Sequence, residues 1–371
     1  MIKSINKEQN FKTNTQKKND RMLNFYKIYE KEVIPVIDKY EKDRKRCVGK
    51  FTTTAMSCIA ILIAFIAFNQ FLQVIILGII VDAIIILFIY LAINRGFQQR
   101  IKKDILQKVI SGLGDIYWIP EKEIITNKTL EKSELFGYYN TRTNDDTFEG
   151  KYNDLSFKIS ETKMTQVSGS GRSRRVYKIF NGVIILIDSN KETNAQTIIT
   201  TKGDKNTRNK NIGMTFTIVS LAIGSVMELL VHDMVRFGFV MLFLIIFGLL
   251  AIFNKKGQNK KMSNMTLEDP EFNKKYDVFT QDQIEGRYLV TTSFMERFKN
   301  LHTAFGTKMA KCAFFDNKVM FALSTEKNLF ELSEGIFCSL KNPKQTKVFY
   351  EEISAIYDII DYFKLAEKTG L

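Results

Sequence analysis

Histidine is almost missing from this chain, and so are the residues that crosslink or break one: 371 residues hold 2 His, 4 Pro, 4 Cys and 1 Trp. His232 and His302 alone cannot build a zinc site by the usual spacings. Cys47, Cys58, Cys312 and Cys338 form no CxxC pair, so they read as isolated reduced thiols rather than a disulfide framework. The patterns GxxxxGK[ST], GxGxxG between strand and helix, HExxH and GxSxG are absent, which removes the commonest nucleotide, metalloprotease and serine-hydrolase chemistries. No cofactor, metal or catalytic residue is therefore expected. The opening residues are polar and lack a short apolar stretch with a small-residue cleavage site, so no signal peptide is expected.

Lysine and long apolar runs are what the chain has in quantity. The net charge is +14, and its placement is informative. Arg44, Lys45, Arg46 and Lys50 precede the first apolar run, and Arg95, Arg100, Lys102 and Lys103 follow it. Lys205, Arg208 and Lys210 precede the second; Lys255, Lys256, Lys260 and Lys261 follow it. This is the flanking pattern of cytoplasmic loops in membrane proteins. A nucleic-acid binder would gather its charge on the folded domain among stacking aromatics, so nucleic acid is not an expected partner.

The first run, Phe51 to Asn94, is about twice the 20 residues a spanning helix needs. Asn69-Gln70 and Gln73 mark a turn that requires water, dividing it into spans Phe51–Phe68 and Val74–Ile93. The second run, Gly213 to Phe253, divides at Glu228, His232, Asp233 and Arg236; its short arms leave a re-entrant hairpin open as an alternative. The plan is a multi-pass protein of a cell membrane with both termini in the cytoplasm. Residues 1–50 form a polar, amphipathic helical segment, 51–94 and 213–254 two transmembrane hairpins, and 95–212 and 255–371 two parts of one cytoplasmic domain. Its fold class is α+β.

Asp82 falls near the middle of the second span. A carboxylate there serves an ion or proton pathway, or is a neutral group bonded to a neighbouring helix, for instance through Ser57 or Ser220. No Lys or Arg lies at comparable depth, which favours packing over transport.

In the polar segments, Leu23, Tyr26, Val33 and Ile37 recur at helical spacing between Met22 and Arg46, with a kink or break predicted at Pro35. That helix lies on the bilayer or packs on the domain. Ile101, Ile105, Val109 and Leu113 predict a helix over 98–113. Leu155, Phe157 and Ile159 alternate as a half-buried strand; Val183 to Ile187 reads as a strand buried on both faces, and Thr197 to Thr201 as a short one. Pro270 opens a helical turn, Asp282 or Gln283 another, and Phe294–Leu301 is a helix capped by Thr292 or Ser293. Lys308 to Ser324 is a hairpin turning at Asp316-Asn317. A last helix starts from Asn342 and Pro343, with Phe349, Ile353, Ile356, Ile360 and Phe363 as its apolar stripe to Leu365.

LEDPEFNKKYDVFTQDQIEGRYLVTTSFMERF (Leu267 to Phe298) resembles the bacterial membrane-associated family known as domain of unknown function 3137. FYKIYEKEVIPVIDKYEKDRKR, SELFGYY with GKYNDLSFKISE, and VYKIFNGVIILIDSNK agree in order. The resemblance implies a membrane-anchored cytoplasmic α+β domain with a helical hairpin near its N-terminus, and no activity. It also implies a short linker where Gly213 to Phe253 stands, so that block reads as an insertion within one domain.

Within the resembling stretch, Leu267, Phe272, Tyr276, Val278, Tyr288 and Leu289 read as core anchors, and Glu268, Asp269, Asp282 and Glu285 as charges satisfying backbone donors at helix ends. An acidic active site of Asp269, Asp282 and Glu285 is the competing reading, without a base or nucleophile beside it. SGSGRSRR (Ser168 to Arg175) suggests a phosphate cradle but precedes a strand instead of a helix. Arg172, Arg174 and Arg175 are then a solvated loop or a contact to anionic headgroups. The function these readings favour is a membrane-tethered, non-enzymatic interaction or regulatory protein. Its partners would be the bilayer and another protein or anionic lipid. A transporter built on Asp82 and an enzyme built on the Asp269–Glu285 acids are the alternatives.

Overall fold

The computed structural model describes Gln16 and residues 19–68, 71–111, 114–152, 154–189, 192–204, 262–327, 329–331, 335–342 and 344–368. The second apolar block, 213–254, lies outside the described residues, as does Pro343.

Two long helices come first. Helix α1 runs Asn19–Phe68 and α2 runs Leu72–Ile110; both are long and apolar enough to cross a membrane, and no part of their most apolar windows is buried. Each also contains a π-turn on the domain side of its apolar run, Tyr29–Val33 in α1 and Lys102–Leu106 in α2. Pro35 does not break α1. Proline cannot donate to a carbonyl one turn back, and the wider π-turn just ahead of Pro35 absorbs that defect within a continuous helix. Nor is the expected helix over 98–113 separate: up to Ile110 it is the continuation of α2, and its end at Leu113 lies outside the described residues.

The domain is built on one antiparallel sheet. Strands β1 (Asp115–Trp118), β2 (Thr141–Tyr152), β3 (Leu155–Ser168), β4 (Arg175–Asp188), β5 (Thr197–Thr201), β6 (Ser263–Asn264), β7 (Tyr276–Thr280), β8 (Met309–Phe315) and β9 (Lys318–Ser324) lie in the order β1-β2-β3-β4-β9-β8-β5-β7-β6. Strands from before residue 205 and after residue 261 alternate in it. Asp204 and Met262, where the described chain leaves and re-enters, line one small pocket beside β5 and β7.

Alternation along β4 explains its unbroken apolar run. Val183, Ile185 and Ile187 pair with Leu323, Phe321 and Val319 of β9 and face the larger core. Ile184 and Leu186 face a second, smaller core with Leu130 of helix α3 (Asn127–Ser133). Such two-sided burial is the reason the strand shows no polar alternation. Helices α6 (Thr292–Ala304) and α7 (Lys344–Lys368) cover the larger face through Phe294, Phe298, Phe349, Ile353, Ile356 and Ile360.

The stripe that α1 buries in this core is Phe25, Val33, Ile37, Tyr40 and Cys47, whereas Leu23 and Tyr26 are exposed. So α1 packs on the domain, on a face rotated from the expected one at its start. In the family-like stretch, Leu267, Phe272, Tyr276, Val278 and Leu289 are buried, but Tyr288 is 44% exposed. Its neighbour Leu289 occupies the inward position of helix α5 (Gln283–Leu289), and the step of about 100° between successive helical residues turns Tyr288 away from it. The N-cap of α6 is Thr291, whose hydroxyl accepts from the Phe294 amide at 3.2 Å, not Thr292 or Ser293. The β8–β9 turn at Asp316 and Asn317 adopts positive φ at both residues, 45° and 58°, as a two-residue hairpin requires. The loop predicted over Ser168 to Arg175 is shorter, because β3 continues through Ser168 and β4 begins at Arg175.

Candidate functional site at the helix–sheet junction

Helix α2 leaves its exposed apolar run at Asn94 and enters the domain within one turn. Phe97, Ile101, Ile105, Leu106, Val109 and Ile110 are all buried. At the π-turn it delivers Lys102 into a buried polar cluster. The ammonium pairs with Asp146 of β2 and, at 2.8 Å, with Glu331. Asp146 is 1% exposed and also accepts from Trp118 Nε1 at 2.9 Å. Glu161 of β3 accepts the Leu329 amide at 3.1 Å, while its second oxygen is buried without a hydrogen bond.

Burial dominates the acid–base behaviour here. It pushes Glu161 up to about 8, the nearby Asp146 and Asp145 charges adding to the effect. It raises Asp146 to about 6 against the opposing pull of Lys102. For Lys102 itself, burial works against the charge, but Asp146 and Glu331 outweigh it and hold its pKa above the ordinary range. Asp145, Asp146 and Glu161 bring carboxylate oxygens within 4.8 Å of one another, a donor set a hard cation could use. Lys102 already supplies the positive charge at Asp146, so the cluster is an ion-pair network in its own right.

A second contact set lies where both helices meet the loop Gly335–Leu340. Arg44 and Glu41 of α1 form a two-bond pair, Nη2 to Oε1 at 2.7 Å and Nε to Oε2 at 3.0 Å. Arg44 Nη1 donates to the Ile336 carbonyl at 2.8 Å, and Glu41 Oε2 accepts the Leu340 amide at 3.1 Å. Asn94 of α2 accepts the Ile336 amide at 3.0 Å. The Arg44 hydrogen bonds hold Glu41 below its ordinary pKa despite burial.

A cavity of about 840 Å³ lies between the start of α1, α6 and α7, walled by Phe25, Tyr29, Ala304, Tyr350, Ser354 and Ala355. At its edge Arg21 clamps α1 to the domain, donating to Asp358 at 2.6 Å and Tyr152 at 3.2 Å.

The residues singled out from sequence are scattered around these features. Asp82 is half-buried in a groove of about 340 Å³ between α1 and α2, with Leu62, Phe65, Gly78 and Val81. Arg174 and Arg175 are exposed beside the Gly171–Ser173 turn that carries Arg172. Asp269 caps helix α4 (Pro270–Lys275), accepting the Glu271 and Phe272 amides at 2.9 and 3.1 Å, and pairs with Lys299 at 3.1 Å. Those backbone bonds and Lys299 hold its pKa down. Asp282 caps α5, accepting the Ile284 and Glu285 amides at 2.8 and 3.1 Å. Glu285 accepts the Asn194 and Ala195 amides at 3.0 and 3.2 Å. Among the described residues these acids do not converge into a ligand set of the kind Asp145, Asp146 and Glu161 form. The sequence reading missed the junction cluster: Lys102 counted as one more flanking charge, and Asp145, Asp146 and Glu161 were not singled out. The available signal was the helix periodicity, which puts Lys102 one turn before Leu106, a position that proves buried.

The family model described as protein of unknown function (DUF3137) matches residues 178–365. The earlier stretches quoted above, ahead of Lys178, lie outside that match. No curated protein matches the chain. One solved structure similar to it is that of the mycobacterial trehalose monomycolate transport factor A, 10% identical, covering 72% of this chain and 95% of that one at a TM-score of 0.32. At that score the likeness carries no argument.

Proposed function

We propose that this chain, which belongs to the DUF3137 family of proteins of unknown function, is a membrane-tethered, non-enzymatic interaction protein. Its helical hairpin lies in a bilayer and its α+β domain presents a surface to a protein partner or to the membrane. One observation carries the reading. Helix α2 passes without interruption from an exposed apolar run into the domain core at Phe97 and Ile101. An apolar helix left uncovered over such a length needs lipid around it. Because that helix is also a core element, the tether and the domain are one structural unit.

The positive charge at the ends of the apolar run supports a cytoplasmic domain. The acids Asp269, Asp282 and Glu285, each occupied by backbone amides, support a binding role over a catalytic one. Alkaline extraction of membranes carrying the full chain, followed by crosslinking and capture from solubilised membranes, tests both parts. The chain should stay with the lipid fraction and return one reproducible partner. Release into the soluble fraction would end the tethering proposal; repeated capture of nothing, with no lipid binding by the domain surface, would end the interaction proposal.

A further inference from the structure

Three aromatic rings meet where the helices leave the domain. Phe51 opens the apolar run of α1, and Tyr90 lies one turn before Asn94, which closes that of α2. Their rings are 5.8 Å apart, edge to face. Phe337 completes the set from the domain side, 5.7 Å from Phe51 and 5.6 Å from Tyr90, stacked on the latter at 12°. Unlike its neighbour Ile336, which is fully buried, Phe337 is 55% exposed.

The loop that carries it is held in place from both helices. Asn94 takes the Ile336 amide, Arg44 the Ile336 carbonyl and Glu41 the Leu340 amide. Gly335 makes the approach possible: its φ is +121°, and a Cβ there would stand 2.9 Å from Asn94 Oδ1. Lys45, Arg46, Lys50 and Arg95 are exposed at the same level of the two helices.

Resting on the reading that this helical pair crosses a bilayer, we infer that the loop Gly335–Leu340 is a membrane-docking element of the domain. Phe337 enters the boundary between headgroups and acyl chains beside Tyr90 and Phe51. Amphipathic aromatic rings concentrate at that depth, and cationic side chains just outside it meet the anionic headgroups. A domain surface that exposes a large apolar ring at the very level where two apolar runs begin has lipid as its complement. The lipid contact therefore belongs to the folded domain as well as to the tether, and it fixes how the domain faces the membrane.

The test uses the full chain in vesicles of phosphatidylcholine and phosphatidylglycerol containing lipids with a quencher near the headgroup or at the acyl end. Phe337→Trp and Met56→Trp are compared, each as emission above that of the parent with Trp118 alone. Met56 is 70% exposed within the apolar run and reports on insertion of the helices. The expected result is loss of Phe337→Trp emission to the headgroup-level quencher and not to the acyl-end one, with Met56→Trp also quenched. Quenching of Met56→Trp without any of Phe337→Trp overturns the docking inference and leaves the tether standing. No quenching of either overturns both. An unchanged unfolding midpoint of each variant shows that the domain is intact.

Discussion

At the scale of single residues, the junction cluster makes the domain's stability depend on pH. The native pKa of Glu161 is raised, to about 8, so the folded state holds its proton more tightly than the unfolded chain does. The sign follows: stability falls as pH rises from the ordinary glutamate range, about 4.3, toward about 8, and the loss is complete above that. Replacing Glu161 by Gln removes this dependence. Thermal unfolding of Glu161→Gln should show a midpoint above that of the parent at pH 8 and nearly equal to it at pH 5. The reverse order would contradict the assignment. Lys102→Met removes the cation beside the buried Asp146 and should cost about 3–5 kcal/mol near neutral pH, measured by denaturant unfolding. Asp82 stands apart from this network. Its groove is walled by apolar side chains, where an ionised carboxylate is costly, so Asp82→Asn should retain membrane insertion, read by alkaline extraction, and leave the unfolding midpoint of the domain unchanged.

At the scale of elements, the decisive feature is the phase of α2. Asn94, Phe97, Ile101 and Ile105 must reach the loop and the core together from one helix face. Inserting a single Ala after Gly96 turns the preceding part of α2, with its apolar run, by about 100° relative to the core, since a helix has 3.6 residues per turn. The Asn94–Ile336 and Tyr90–Phe337 contacts would be lost, and limited proteolysis should then cleave the loop Gly335–Leu340 faster than in the parent. Helix caps are more modest. Asp282→Ala should cost about 1 kcal/mol, read from the unfolding midpoint. Several of these elements were legible in the residues themselves. Both long helices, β4, the β8–β9 hairpin and α7 carry strong periodicity or turn chemistry, and the capping roles of Asp269 and Asp282 follow from their place before helical turns. What escaped was β2, because Thr141–Tyr152 is mostly polar and gains its place through pairing with β1 and β3 rather than through a hydrophobic pattern. Strand β7 escaped too: Tyr276 and Val278 were recognisable as core residues, but their pairing with β5 joins positions far apart in the chain.

At the scale of the whole molecule, the sheet draws on segments on both sides of residues 205–261, and the larger core includes residues of both long helices. That arrangement could not be read from periodicity, which sees each helix as apolar or amphipathic but not that one helix is both in succession. The junction cluster was hidden for the same reason: charge next to an apolar run looks like a flank until the fold buries it. Phe97→Ala, at a fully buried position on the helix that also carries the exposed apolar run, should lower domain stability by about 3–5 kcal/mol and, on the proposed tethering, leave the chain with the membrane fraction, as measured by unfolding and by alkaline extraction.

The central claim is that α1 and α2 cross a bilayer as a pair while the domain stays on the side from which they enter. Labelling of intact cells with an impermeant maleimide tests it most directly, using Phe71→Cys at the exposed start of α2 and the exposed native Cys338 of the docking loop. The expected result is that Phe71→Cys adds labelling on intact cells, whereas Cys338 is labelled only after permeabilisation. Labelling of Cys338 on intact cells, or none at Phe71→Cys before permeabilisation, would contradict it.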